Sequence, residues 1–218
     1  MEHRLEKMAE FFENRLDGYD AHMLNEIDSA GEFYAFTASC LPKECCHVLD
    51  LGCGTGLEME FYLKSNPDAH VTGIDLSHGM LEEMKKKFDP AQITLIRGSY
   101  FDVPFGEGVF DAAVSVESLH HFTEEEKIPL YRKLHGALKE NGYLILTDYF
   151  ADTEDQEQFF QSELIRMKKE QGLADHVFYH YDTPFTAAHE MQCLRDAGFS
   201  HVEEMQSWGS THTLKAIK

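Results

Sequence analysis

Between residues 46 and 150, short apolar runs alternate with segments whose apolar residues recur every three or four positions. The runs at 46–50, 70–75, 93–97, 110–116 and 143–149 predict strands, and 57–65, 78–87 and 123–138 predict helices. This alternation implies parallel strands joined by right-handed crossovers. Residues 2 to about 40 read as helices, with Leu5, Met8, Phe11, Phe12 and Leu16 on one face, Met23, Leu24 and Ile27 on the next, and Asp17-Gly18 breaking between them. After residue 150 come an acidic amphipathic helix at 157–171, an aromatic and histidine-rich stretch, and a helix at 184–197 with Pro184 in its first turn. Two alternating segments, 201–207 and 210–217, flank Trp208-Gly209 and predict an antiparallel hairpin. Thr123, followed by Glu124, Glu125 and Glu126, is a capped helix start, so this acidic run needs no ligand to explain it.

The first strand, Val48-Leu49-Asp50-Leu51, runs into Gly52-Cys53-Gly54-Thr55-Gly56 and then a helix. Glycines there let the backbone take positive φ and let a ligand approach without a Cβ, and the helix start supplies free N–H groups. A dinucleotide fingerprint needs its third glycine at position 57, which is Leu57. The spacing Asp-x-Gly-x-Gly-x-Gly instead resembles motif I of the Rossmann-like S-adenosylmethionine (SAM) dependent methyltransferases. Four further segments resemble that family in order: Val71–Ser77, Ile93–Phe105, Phe110–Phe122 and Glu140–Tyr149, the last with Asn141 where the family has a glycine.

The resemblance implies a doubly wound α/β fold: a mostly parallel seven-stranded sheet with helices on both faces, an antiparallel last strand and an N-terminal helical lid. The whole chain, 1–218, is expected to be one methyltransferase domain, with the lid at 1–42 and a lid insertion at 152–183. SAM is the implied cofactor and S-adenosylhomocysteine its product. Donor contacts are implied for Asp50, Gly52, Cys53, Gly54 and Gly56 in the loop. Asp75 and Leu76 are implied at the ribose and adenine, with capping of the following helix as the simpler alternative role for Asp75. Ser99, in place of the usual acidic residue, and Tyr100 fall in the adenine loop, where Asp102 is an alternative contact. Glu117 is implied at the methionine amino group.

Candidate catalytic residues are His120, His121 and Tyr19. The histidines follow the fourth strand, where a base could take an acceptor proton; the competing reading buries one of them as a helix-start anchor. Tyr19 either closes on the donor or packs in a helix core with Met23. His176 and His180, four apart, could ligate a metal if helical, but Asp182-Thr183-Pro184 argues for a loop, and no metal is expected. They line or cap an acceptor pocket instead. Trp208 reads as a structural aromatic.

Composition narrows the partners. Thirty-nine acidic against nineteen basic residues give a net charge of −20, which disfavours nucleic acid because such binding relies on Lys and Arg neutralising phosphates. The runs Lys85-Lys86-Lys87 and Lys168-Lys169 read as solvated helix faces. Cysteines 40, 45, 46, 53 and 193 show neither a disulfide framework nor a zinc spacing. No apolar stretch reaches membrane-spanning length and no signal-peptide core is visible. The expectation is a cytoplasmic monomer or homodimer that methylates a small-molecule acceptor without nucleic-acid or membrane partners. The alternative keeps the cofactor site in a SAM-binding regulatory or scaffold protein without turnover, and a third reading is a modified-SAM synthase of the same fold.

Overall fold

The computed structural model describes residues 4–44, 46–174 and 176–218. Its strands are β1 (His47–Leu51), β2 (His70–Asp75), β3 (Ile93–Arg97), β4 (Phe110–Val116), β5 (Leu138–Tyr149), β6 (His201–Trp208) and β7 (Thr211–Ile217). They form one sheet in the order β3-β2-β1-β4-β5-β7-β6, with β7 antiparallel to both of its neighbours. The order reverses between β1 and β4, the position where open α/β sheets bind ligands at the carboxyl ends of their strands.

The helices are α1 (Met8–Glu13), α2 (Tyr19–Glu26), α3 (Ala30–Cys40), α4 (Leu57–Ser65), α5 (His78–Lys87), α6 (Glu124–Ala137), α7 (Glu154–Glu170) and α8 (Ala187–Asp196). Strands covered on both faces are apolar nearly throughout, and alternate residues feed opposite layers. Leu49, Leu51, Ala113, Leu144 and Leu146 pack with Leu130, Leu134 and Leu194 of α6 and α8. Val48, Val71, Val114 and Ile145 pack on the other face with Phe33, Tyr62, Leu63 and Met84 of α3, α4 and α5. Among the described residues no helix is long and apolar enough to cross a membrane.

Two expectations are corrected in detail, at β5 and at Pro184. β5 begins at Leu138 rather than 143, because pairing with β4 jumps register between Phe110↔Leu138 and Ala112↔Tyr143. Asn141 sits in that irregular stretch at φ +62°, a conformation Asn tolerates. Pro184 is not in the first turn of α8; Thr186 starts that helix by accepting a hydrogen bond from the His189 N–H. Trp208 packs against Phe33 and Phe36 of α3 and donates Nε1–H to Glu32, 3.1 Å away, so it anchors a helix. Cys45, part of the cysteine cluster read from the sequence, and Asp175, in the histidine-rich stretch, lie outside the described residues.

One buried ion pair fixes α6 to α8. Lys127 Nζ donates to Glu190 Oε2 at 2.5 Å, Tyr131 donates its hydroxyl to the other oxygen of Glu190, and the ammonium lies 3.9 Å from the Phe185 ring centroid. Both charged side chains are almost fully enclosed. Removing one partner strands the other charge, so Glu190→Ala is expected to destabilise the protein by roughly 3–5 kcal/mol. In urea unfolding, Lys127→Met with Glu190→Leu should recover most of that loss; a single variant as stable as wild type would contradict the account.

Candidate active site

The turn after β1 is built by backbone bonds to β2. The Gly52 and Cys53 N–H groups both donate to the Ile74 carbonyl, at 2.9 and 3.2 Å, and Gly56 N–H donates to the Cys53 carbonyl at 2.8 Å. Gly52 has φ +71°, and a Cβ there would fall 2.2 Å from Ser118 Oγ. At Gly54, with φ +50°, a Cβ would meet only the Gly52 carbonyl oxygen, 4.0 Å away. The Gly54 N–H donates to Asp75 Oδ2 at 3.0 Å, while Ser77 N–H donates to Asp75 Oδ1 at 2.7 Å. A carboxylate has about four acceptor positions, so Asp75 keeps capacity for a ligand.

Beneath the turn, Asp50 is fully buried and no N–H donor reaches either of its oxygens. Neither oxygen has a hydrogen-bond partner, and the nearby acid is Glu58 of α4. Burial first, then that neighbouring acid, hold Asp50 well above the usual carboxylate range, and burial pushes Glu58 up to about 7. Both acids are thus held toward their protonated forms.

α1 and α2 close over this turn through two carboxylates. Asp20 accepts from Thr55 Oγ1 at 2.5 Å and from Lys87 Nζ at 2.6 Å. Glu13 accepts from Ser77 Oγ at 2.6 Å and from Gly79 N–H at 3.1 Å. Leu16 fits against Gly79, where a Cβ would fall 2.0 Å from Leu16 Cδ1. The closure leaves a narrow cleft lined by Tyr19, Gly52, Gly54, Asp75, Leu76 and Tyr100, among others.

A second cavity, of about 660 Å³, adjoins it, and Phe12, Tyr19, Glu117 and His121 line both. Its polar wall comes from three elements. A 3₁₀ turn, Leu119–His121, follows β4 and is anchored by Asp148 of β5, whose Oδ2 accepts from the Leu119 and His120 N–H groups at 2.8 and 3.1 Å. The His120 ring bonds the other oxygen through Nδ1 at 2.5 Å. From the loop before α8, Asp182 Oδ1 lies 3.5 Å from His120 Nε2 and 3.3 Å from His121 Nδ1. His180 stacks on Phe11 of α1 with ring centroids 3.4 Å apart, and its centroid is 4.9 Å from that of His121.

Burial opposes charge on His120, but Asp148 and Asp182 outweigh it and hold the imidazolium well above the ordinary range. Burial and the His120 charge hold His121 below its ordinary value, and burial with His121 pushes His180 down to about 4. The wall is therefore one fixed cation beside two neutral imidazoles. Glu117, at φ +48° and with Thr211 Oγ1 donating to it at 3.3 Å, is pushed up to about 8 by burial and then by Asp148. A non-glycine residue held at positive φ where the cavities meet is strain of the kind found at functional sites.

Sequence and structure differ at several candidates. Gly52, Gly54, Asp75, Leu76, Tyr100, Glu117, Tyr19, His120 and His121 line one or both cavities. Cys53 instead packs beneath the turn against Gly73, and Gly56 packs against Met84 and Phe88. Ser99 accepts from the Phe101 N–H and caps its own turn, and Asp102 is exposed. His180 reaches the cavity, whereas His176 is exposed. Asp148 and Asp182 escaped the sequence reading because only folding brings them to His120; an acidic residue ending a predicted strand was the one available signal for Asp148.

A family model described as a methyltransferase domain matches residues 48–142. The carboxy-S-adenosyl-L-methionine synthase of Wolinella succinogenes is 30% identical over 207 residues, covering 84% of this chain and 80% of that protein. The chain belongs to the class I, Rossmann-like SAM-dependent methyltransferases. Within this family it is 26% identical to the bifunctional biotin biosynthesis protein BioHC of Teredinibacter turnerae, over 92% of this chain but only 40% of that longer relative. The fold matches that of the DhpI–SAH complex with a TM-score of 0.72 at 17% identity, covering 95% of this chain and 93% of the other.

The residues of this methyltransferase fit its cofactor, SAM. Gly54 opens a cradle, Asp75 keeps acceptor capacity for hydroxyls, Leu76 and Tyr100 give an apolar slot, and Asp50 is a buried carboxyl lacking an N–H donor. A pH dependence follows from the acid pair. Glu58 has a folded pKa of about 7 against an ordinary 4.5, so the folded state binds the extra proton between those values. Stability must then fall as pH rises through that window, by on the order of 3 kcal/mol. Glu58→Gln should flatten the decline in Tm between pH 5 and 8, measured by differential scanning calorimetry; an equally steep decline in the variant counts against a proton held on Glu58 by burial.

Proposed function

We propose that this methyltransferase transfers the methyl group of SAM to a small molecule held in the cavity between α1, α2 and the loop before α8. The observation that carries the reading is the pair of adjoining cavities sharing Phe12, Tyr19, Glu117 and His121. One side has the chemistry of a donor site and the other a histidine wall. Bound SAM supplies an activated methyl on a sulfonium, so the protein need not furnish a nucleophile. The chain's task is to align the acceptor, keep water out and take up a proton where the acceptor carries one.

In this reading Asp75 binds the ribose hydroxyls, Leu76 and Tyr100 flank the adenine, and Asp50, Gly52 and Glu117 lie toward the methionine end. Cys53, Gly56 and Ser99 act by shaping the turns. Tyr19 closes the junction as a neutral phenol, since burial and the acids around it keep its proton on. With no ion bound, His120 is a cation held between Asp148 and Asp182, which makes it an orienting group. His180, neutral and facing the cavity, is the better-placed proton acceptor, and His121 stands where the two sides meet. The likeness to a carboxy-SAM synthase supports a second reading, in which SAM itself is modified; product mass separates the two.

Calorimetric titration of SAM and S-adenosylhomocysteine tests the donor site. Wild type is expected to bind near the micromolar range, about −8 kcal/mol. Asp75→Ala removes two hydrogen bonds to a charged group, each worth about 1.5–3 kcal/mol, so a loss of at least about 100-fold is expected. Absence of binding to wild type, or full affinity in the variant, would overturn the assignment. Acceptor-dependent release of S-adenosylhomocysteine would then exclude a binding protein without turnover.

A further inference from the structure

We propose that His120, His121 and Asp182 bind one divalent transition-metal ion, of the Zn²⁺ class, on the wall of the larger cavity. The assignment rests on geometry. One donor atom from each residue lies within 4.8 Å of the other two. Asp182 Oδ1 is 3.5 Å from His120 Nε2 and 3.3 Å from His121 Nδ1. A tetrahedral ion with bonds of about 2.0–2.2 Å places its donor atoms about 3.4 Å apart, so the three side chains are spaced for an ion.

The surroundings of His120 point the same way. Metal-bound histidines commonly donate their other ring N–H to a carboxylate that fixes the tautomer. Here Asp148 Oδ1 takes Nδ1 at 2.5 Å, leaving Nε2 directed at Asp182, and Asp148 Oδ2 anchors the same turn through two backbone N–H groups. An arriving ion displaces the Nε2 proton of the ion-free imidazolium, while the Nδ1 proton stays on Asp148. His121 Nδ1 also lies 3.2 Å from the Tyr181 carbonyl, which can accept its proton while no ion is bound. Two imidazoles and one carboxylate favour Zn²⁺ and its neighbours over Mg²⁺ or Ca²⁺, which prefer all-oxygen ligands. All three residues line the cavity, so further coordination positions face the space where an acceptor would sit, as in sites with three protein ligands and an open position. Ion binding stands apart from the donor reading; only its nearness to an acceptor rests on it.

A second trio, Glu124, His189 and Cys193, also has ligand-like spacing, but burial holds the Cys193 thiol protonated and the trio lines neither cavity of the site. It serves as the internal control. The test is Co²⁺ titration of the full, EDTA-treated chain, read by visible ligand-field absorption, with Zn²⁺ displacing the bands. The expected result is one Co²⁺ per chain, at least about tenfold weaker binding in both Asp182→Asn and His121→Gln, and no change in His189→Ala. Asp182 is about half exposed, so Asp182→Asn should fold and bind SAM as wild type does. Absence of cobalt bands, equal affinity in either ligand variant, or loss of the bands in His189→Ala overturns the proposal. Cobalt binding by a wild type that fails to bind SAM would support the ion site while removing the donor reading.

Discussion

Four of the parallel strands deliver an acid to the carboxyl edge of the sheet, and the rest of the site is organised around stabilising them. β1 carries Asp50, β2 ends in Asp75, β4 leads into Glu117 and β5 carries Asp148. Burying an unpaired carboxylate costs several kcal/mol, so each needs a donor, a proton or a cation. The fold answers differently in each case. Asp75 takes two backbone N–H groups, Asp50 is held toward its protonated form by burial and Glu58, Glu117 takes the Thr211 hydroxyl and holds its proton to about pH 8, and Asp148 holds an imidazolium. Most of the charge at this edge is therefore already compensated within the protein, and Asp75 is the acid left with free acceptor capacity.

The same currency operates in the lid. Glu13 and Asp20 are the carboxylates that α1 and α2 bring down, and they land on Ser77, Gly79 and Thr55. These are the N-terminus of α5 and the glycine turn, the two elements that also bond Asp75. Ser77 is shared directly: its N–H holds Asp75 and its hydroxyl holds Glu13. Because α1 and α2 bond to the groups that frame the cleft, displacing them would loosen that frame.

The legible part of this molecule was the part whose causes are local. β2, β3 and β4 and helices α4 and α5 fall where apolar periodicity places them, since a buried parallel strand or an amphipathic helix writes its packing into its own residues. Gly52, Gly54 and Asp75 were readable for a similar reason: a turn needing positive φ and a strand ending in a carboxylate are short-range signals. Failure came where a neighbour decides. β5 extends because β4 accommodates a register jump, and Pro184 lies outside α8 because Thr186 supplies the cap. Cys53 and Ser99 belong to the right loops but turn away from the cavity toward Gly73 and the Phe101 N–H. Nothing near Asp182 in the sequence announces that its carboxylate will meet two histidines some sixty positions earlier.

That long-range meeting also explains why adjacent histidines have opposite characters. His120 and His121 share a 3₁₀ turn, and their ring centroids are 4.0 Å apart; two imidazolium ions that close and that deeply buried would repel strongly. Asp148 touches only His120, so the charge settles there and holds His121 neutral. His180, next in the row, is pushed further in the same direction. Asp148 thus holds the charge on His120, which with burial keeps His121 neutral, while lining neither cavity. A His-His pair is ambiguous by sequence because its chemistry is not a property of the pair: it is set by which ring the fifth strand reaches with a carboxylate.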